Sequence, residues 1–140
     1  MVRPPSRIVL DPLLETGNGL VDRQHRELFA RLSALLEASR DGRGSEEVKR
    51  LLAFLGEYVV EHFASEERLM AEAGYPRLQP HRDEHRAFVA TFEALRSEFQ
   101  ESGADLPFVV RLSQRVTAWL KEHIYRADRE MARWIQERPG

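Results

Sequence analysis

No cysteine occurs anywhere in the 140-residue chain. Its absence excludes disulfide staples, thiolate metal sites, iron–sulfur clusters and cysteine nucleophiles together, so any metal must be held by nitrogen and oxygen donors. Excess charge of one sign is also lacking, because 21 basic residues stand against 23 acidic ones. Without a strong field, nucleic acid is not an expected partner, nor is an anionic membrane surface. No run approaches the roughly 20 apolar residues of a spanning helix, and the opening Met1-Val2-Arg3-Pro4-Pro5 leads into none, so no membrane insertion is expected and a cytoplasmic monomer is the default. The length suits one domain with a buried core, and 42% apolar with 31% charged residues fits a folded globular chain better than a disordered one.

What is present is helical periodicity. Apolar residues recur at steps of three and four over four long segments, with no sustained alternation of period two. The first segment runs from about Leu20 to Ser39, with Val21, His25, Leu28, Leu32 and Leu35 on one face, and Asp41-Gly42-Arg43-Gly44 ends it. Ser45 can cap the second, whose stripe holds Leu55, Tyr58, Val59, His62, Glu66, Leu69, Met70 and Ala73 before Gly74-Tyr75-Pro76 closes it. The third, from about Gln79 to Glu101, carries His81, His85, Phe88, Phe92, Leu95 and Phe99. Asp105 can cap the fourth, with Pro107 in its first turn and Val109, Leu112, Val116, Trp119 and His123 facing inward towards an end near Gln136. Such short connections predict an all-α, antiparallel up-down-up-down four-helix bundle over residues 20–137, preceded by an extended N-terminal arm over residues 1–19.

The histidines carry the chemistry. All five in the chain, His25, His62, His81, His85 and His123, sit on inward stripes. Burying five imidazoles without metal requires five separate partners, whereas neutral imidazole is a ready ligand for iron, zinc or copper. Glu66 follows His62 by four residues, and His81 and His85 repeat that spacing, so each pair shares a helix face. Asp128 follows His123 by five, which on a regular helix separates the side chains by about 140°. A local π-type turn between Trp119 and Asp128 would bring the two together. Glu67 is turned about 100° away from Glu66 and reads as a solvated charge. Glu61, Glu84 and Glu122, each just before a histidine, read the same way.

The strings Val21-Asp22-Arg23-Gln24-His25-Arg26-Glu27-Leu28-Phe29, His62-Phe63-Ala64-Ser65-Glu66-Glu67, His81-Arg82-Asp83-Glu84-His85 and His123-Ile124-Tyr125-Arg126-Ala127-Asp128 resemble the four signature segments of the hemerythrin family. The likeness covers nearly the whole chain, and Met70 and Gly74-Tyr75-Pro76 resemble the link between the second and third helices of bacterial members. One departure is Leu10, where many bacterial members carry a tryptophan. Members of the family themselves exemplify the up-down-up-down topology, so the topology and the resemblance are not independent.

The resemblance implies a di-iron centre in which His81, His85 and His123 hold one iron, His25 and His62 the other, and Glu66 and Asp128 bridge the two. With one oxo or hydroxo bridge, these donors leave one position of two octahedral irons open, on the iron of His25 and His62, for reversible dioxygen binding in transport, storage or delivery, with an oxygen-using client protein as a candidate partner. Leu28, Phe63, Trp119, Leu120 and Ile124 are expected to wall that position with apolar groups. The expectation is a binding protein and not an enzyme. A di-iron oxidase or peroxidase is the first alternative, yet ferritin-like sites use Glu-x-x-His pairs, and the residues three before the histidines are Asp22, Val59, Leu78, Arg82 and Leu120. Sensing of oxygen, nitric oxide or redox state is the second. The short stretch after Asp128 favours a freestanding carrier over one joined to a signalling output. A metal-free interaction bundle, or zinc in place of iron, completes the alternatives.

Overall fold

The computed structural model describes residues 14–42, 45–103 and 105–137. Its elements are α1 (Gly19–Arg40), α2 (Ser45–Ala73), α3 (Leu78–Ser102) and α4 (Leu106–His123), then a five-residue π-helical turn (Ile124–Asp128) and α5 (Arg129–Glu137). His123 and Arg129, at either end of the π turn, keep right-handed helical dihedrals, so α4, the turn and α5 form one uninterrupted rod. The first helix packs on α2 and α4, α2 packs on α3, and α3 packs on α4, which is the antiparallel four-helix bundle that the periodicity predicts. No strand occurs among the described residues, and no helix among them is long and apolar enough to cross a membrane.

Local chemistry sets the helix ends. The Asn18 side chain accepts from the Val21 amide at 3.1 Å, satisfying one of the free donors of the first turn. Asp22 reaches back to accept from the amide and hydroxyl of Thr16 at 2.9 and 2.8 Å, tying the lead-in to α1. The Asp105 carboxylate accepts from the Phe108 amide at 2.9 Å, with Pro107 in the first turn, as the sequence predicts. At the other end of α2, Gly74 takes φ +70°, a left-handed conformation that a side chain disfavours, and the Tyr75 amide then closes on the Met70 carbonyl. Leu14 is buried in the main core. The rest of the expected arm, including Leu10, lies outside the described residues.

The core has two parts. A large cluster includes Leu28, Leu32, Val59, Phe63, Phe88, Phe92, Leu112, Leu120 and Ile124. A small one contains Val21, Met70, Tyr75 and Met131. On α1, α2 and the fourth rod, the polar stripe residues fall between members of the two clusters, so the bundle is apolar above and below one polar layer.

Gly56 shows how tightly α2 and α3 meet. A Cβ at this position would lie 2.8 Å from Cε1 of the buried Phe92 ring. Replacing a mid-helix glycine by alanine normally gains about 1 kcal/mol, whereas overpacking a core costs about 1–3 kcal/mol. Gly56→Ala is therefore expected to lower stability, by up to about 2 kcal/mol in urea unfolding. A raised midpoint would mean that the Phe92 ring swings aside freely.

Candidate metal centre

The polar layer is built from side chains of every long element. His25 comes from α1, His62 and Glu66 from α2, His81 and His85 from α3, His123 from the end of α4, and Asp128 from the end of the π turn. None is more than 3% exposed. The expected irregularity between Trp119 and Asp128 is present as the π turn over Ile124–Asp128. Its wider winding brings Asp128 Oδ1 to 3.2 Å from His123 Nε2, across a spacing that a regular helix would splay apart. Asp128 is therefore a buried group and not a surface one.

The two carboxylates divide their oxygens between two groups of histidines. Glu66 Oε1 lies 3.5 Å from His81 Nε2 and 3.0 Å from His85 Nε2, while Asp128 Oδ1 lies 2.9 Å from His81 Nε2. On the other side, Glu66 Oε2 lies 3.4 Å from His25 Nε2 and 3.2 Å from His62 Nε2, and Asp128 Oδ2 lies 3.0 Å from His25 Nε2. Two donor sets result, one of Glu66, His81, His85, His123 and Asp128 and one of His25, His62, Glu66 and Asp128. Within each set the ligand atoms lie within 4.8 Å of one another.

These contacts are close but misaligned. Nε2 of His25, His81, His85 and His123 and all four carboxylate oxygens are buried without a hydrogen-bond partner. Buried polar atoms are ordinarily satisfied, and leaving one bare costs about 1–3 kcal/mol. Nitrogen and oxygen donors that crowd together without bonding each other fit a shared cation, and an imidazole-and-carboxylate set suits iron or zinc.

Burial acts first on the ionisation of the layer. It works to lower the His25 and His81 imidazoles, but contacts with Asp128 and then Glu66 outweigh it and carry both up to about 9. Burial likewise works to raise Glu66, yet the charge of His62 and contacts with His25, His62 and His81 hold it well below the ordinary 4.5. Asp128 is pushed up by burial and by the Glu66 charge, and held down more strongly by His123, His25 and His81, well below the ordinary 3.8.

Two of the outer ring nitrogens, those of His62 and His85, are held by residues that the sequence reading did not assign to the site. His62 Nδ1 donates to Gln24 Oε1 at 2.8 Å, and the Gln24 amide nitrogen donates to Ser65 Oγ at 3.3 Å. His85 Nδ1 donates to Glu67 Oε2 at 3.0 Å, and Arg82 donates to the other Glu67 oxygen at 3.0 Å. Glu84 lies 3.6 Å from His123 Nδ1, in ion-pair range, and pairs with Arg126. Two readings are thereby corrected, because neither Glu67 nor Glu84 is a free surface charge. A residue next to an inward ligand is turned about 100° towards the adjacent helix, and there it meets a histidine of that helix. Gln24 of α1 serves α2, Glu67 of α2 serves α3, and Glu84 of α3 serves α4. The signal available in sequence was a polar residue flanking a ligand. Glu61 and Glu122 are exposed, as expected.

Of the five residues expected as apolar wall, Leu28, Leu120 and Ile124 are fully buried beside the layer. Phe63 stacks on His85, with ring centroids 3.8 Å apart and planes 4° from parallel, and also meets His62 at 5.8 Å. Trp119 stacks on His123 at 4.5 Å.

The hemerythrin HHE cation binding domain family matches residues 16–135. A bacteriohemerythrin of Methylococcus capsulatus is 32% identical over 114 residues, covering 81% of this chain and 85% of that protein. A bacteriohemerythrin of Clostridium acetobutylicum is 29% identical over 119 residues, covering 83% and 92%. Among solved structures, a wild-type hemerythrin crystal structure superposes with a TM-score of 0.80 at 27% identity, over 91% of this chain and 97% of that one.

The ionisation pattern fixes a pH dependence. His25 and His81 sit near 9 in the metal-free fold against an ordinary 6.5, so their contribution to stability is complete below pH 6.5 and is lost as pH rises through about 9. Glu66 and Asp128 contribute above their ordinary 4.5 and 3.8 and lose that contribution as pH falls. Through these groups, urea unfolding of the metal-free chain is expected to show a lower midpoint at about pH 9 than at about pH 6. A metal displaces the histidine protons, so zinc uptake is expected to release protons, to tighten as pH rises to about 9, and to hold the midpoint level. Equal metal-free stability at both pH values would contradict this assignment of charge.

Proposed function

The chain belongs to the hemerythrin family, and from that premise we propose that it binds dioxygen reversibly at a non-haem di-iron centre. The observation that carries this reading is the sharing of Glu66 and Asp128 between two histidine groups, each carboxylate presenting one oxygen to either side. In this reading His81, His85 and His123 hold one iron, His25 and His62 hold the other, and the two carboxylates bridge them. A metal on the side of His25 and His62 would have one imidazole fewer than its neighbour, and so would have room for an exchangeable ligand. Ferrous iron held by these residues would supply the two electrons, one from each ion, that dioxygen takes up on binding and gives back on release.

The protein's own contribution is to fix the donors and to keep the layer dry. Gln24 and Glu67 hold the Nδ1 protons of His62 and His85, so that Nε2 of each ring presents its lone pair inward. Leu28, Leu120 and Ile124, with the Phe63 and Trp119 rings on the imidazole faces, surround the layer with largely apolar groups. Among the described residues, the two donor sets contain no carboxylate beyond Glu66 and Asp128. A centre rich in histidine and poor in acids favours release of intact dioxygen over cleavage of its bond.

Anaerobic loading with ferrous iron should give two irons per chain. Admitting oxygen should produce a visible absorption band, and removing it should abolish the band. A band that decays without returning, or turnover of an added reductant, would replace the carrier reading with an oxidase. His62→Ala is expected to reduce the iron count and to lose the oxygen-dependent band while the helical signal in circular dichroism persists.

A further inference from the structure

The partners of the outer ring nitrogens are unequal across the centre. On the three-histidine side Glu67 accepts from His85 Nδ1, and Glu84 lies in ion-pair range of His123 Nδ1 without a hydrogen bond, each carboxylate anchored by an arginine, Arg82 and Arg126. On the two-histidine side the partners are neutral or absent. His62 Nδ1 donates to the amide oxygen of Gln24, and His25 Nδ1 has no hydrogen-bond partner. With Nε2 of His62 turned to the metal place, Nδ1 carries the ring proton, so it meets the amide oxygen of Gln24 while the amide nitrogen turns to Ser65.

A carboxylate drawing on Nδ1–H pushes electron density through the imidazole and makes Nε2 a stronger donor, whereas a neutral amide does so much less. We propose that Gln24 is a positioning residue that keeps the two metal places unequal, orienting His62 while leaving it a weak donor. This rests on the two-metal reading above and specifies which place is the softer one. The ion held by His25 and His62 is the more weakly bound and the more electron-poor. Its ferrous state is favoured, and dioxygen that has drawn electrons from it is returned readily.

Zinc separates this inference from the oxygen chemistry. Competition against a chromophoric chelator should resolve a tight and a weak zinc in the native chain. Gln24→Glu, which gives His62 a charged acceptor in the same place, should tighten the weak step about tenfold and leave the tight one, since outer-shell changes shift metal affinity by about 10–100-fold. Glu67→Gln should do the converse, loosening the tight step by about tenfold. In the iron-loaded chain, Gln24→Glu should also lower the midpoint potential and slow the release of dioxygen, a change that a purely structural role for Gln24 would not produce. Two zinc ions bound with steps and potential unmoved by Gln24→Glu would overturn the inference and leave the di-metal reading standing. No zinc or iron bound at all would overturn both.

Discussion

Two carboxylates, Glu66 and Asp128, are buried at the centre of the bundle, and the rest of the structure is arranged around the need to neutralise them. Moving such groups out of water is among the most unfavourable steps in folding, and removing one member of a buried charged pair typically costs about 3–5 kcal/mol. Here the neutralising groups are five imidazoles from four helices, close to the carboxylate oxygens yet not aligned to bond them. A cation placed between donors resolves both problems together, because it satisfies the oxygens and the Nε2 lone pairs at once. The same requirement accounts for the π turn. Without one wider winding between Ile124 and Asp128, the fourth rod would present His123 to the layer and carry Asp128 away from it.

A second consequence is that the helices hold each other's ligands. Gln24, Glu67 and Glu84 each stand beside a ligand of their own helix and reach a histidine of the next, so the order α1, α2, α3, α4 is also the order in which orientation is passed on. Hydrogen-bonded support reaches His62 and His85, Glu84 meets His123 only at ion-pair distance, and His25 Nδ1 has no hydrogen-bond partner. Support of this kind links bundle geometry to the chemistry of the centre. A shift of one helix against its neighbour changes the tautomer and aim of a histidine as well as the packing.

The apolar clusters above and below the layer serve the same end. Phe63 and Trp119 lie flat on the histidines of the three-histidine side, and Leu28, Leu120 and Ile124 close the layer off from water. In that dry setting electrostatic interactions are strong. The displacement of His25 and His81 to about 9 in the metal-free fold shows how strongly the two carboxylates keep protons on the neighbouring imidazoles when no metal is bound.

The helices, their order and the inward stripes were legible in the sequence, because the 3.6-residue period, Asp105, Pro107 and the glycine breaks are local signals with local causes. The seven converging residues were legible for the same reason, since spacings of three, four and seven put ligands and core on one face. The His123–Asp128 spacing could be read as a π turn because it fits no regular helix. Only the tertiary structure decided which helix faces which, and so which oxygen of Glu66 or Asp128 meets which histidine. It also decided the roles of Gln24, Glu67 and Glu84, whose partners lie 38, 18 and about 40 residues along the chain on the adjacent helix. Periodicity describes one helix at a time, and these contacts exist only between two.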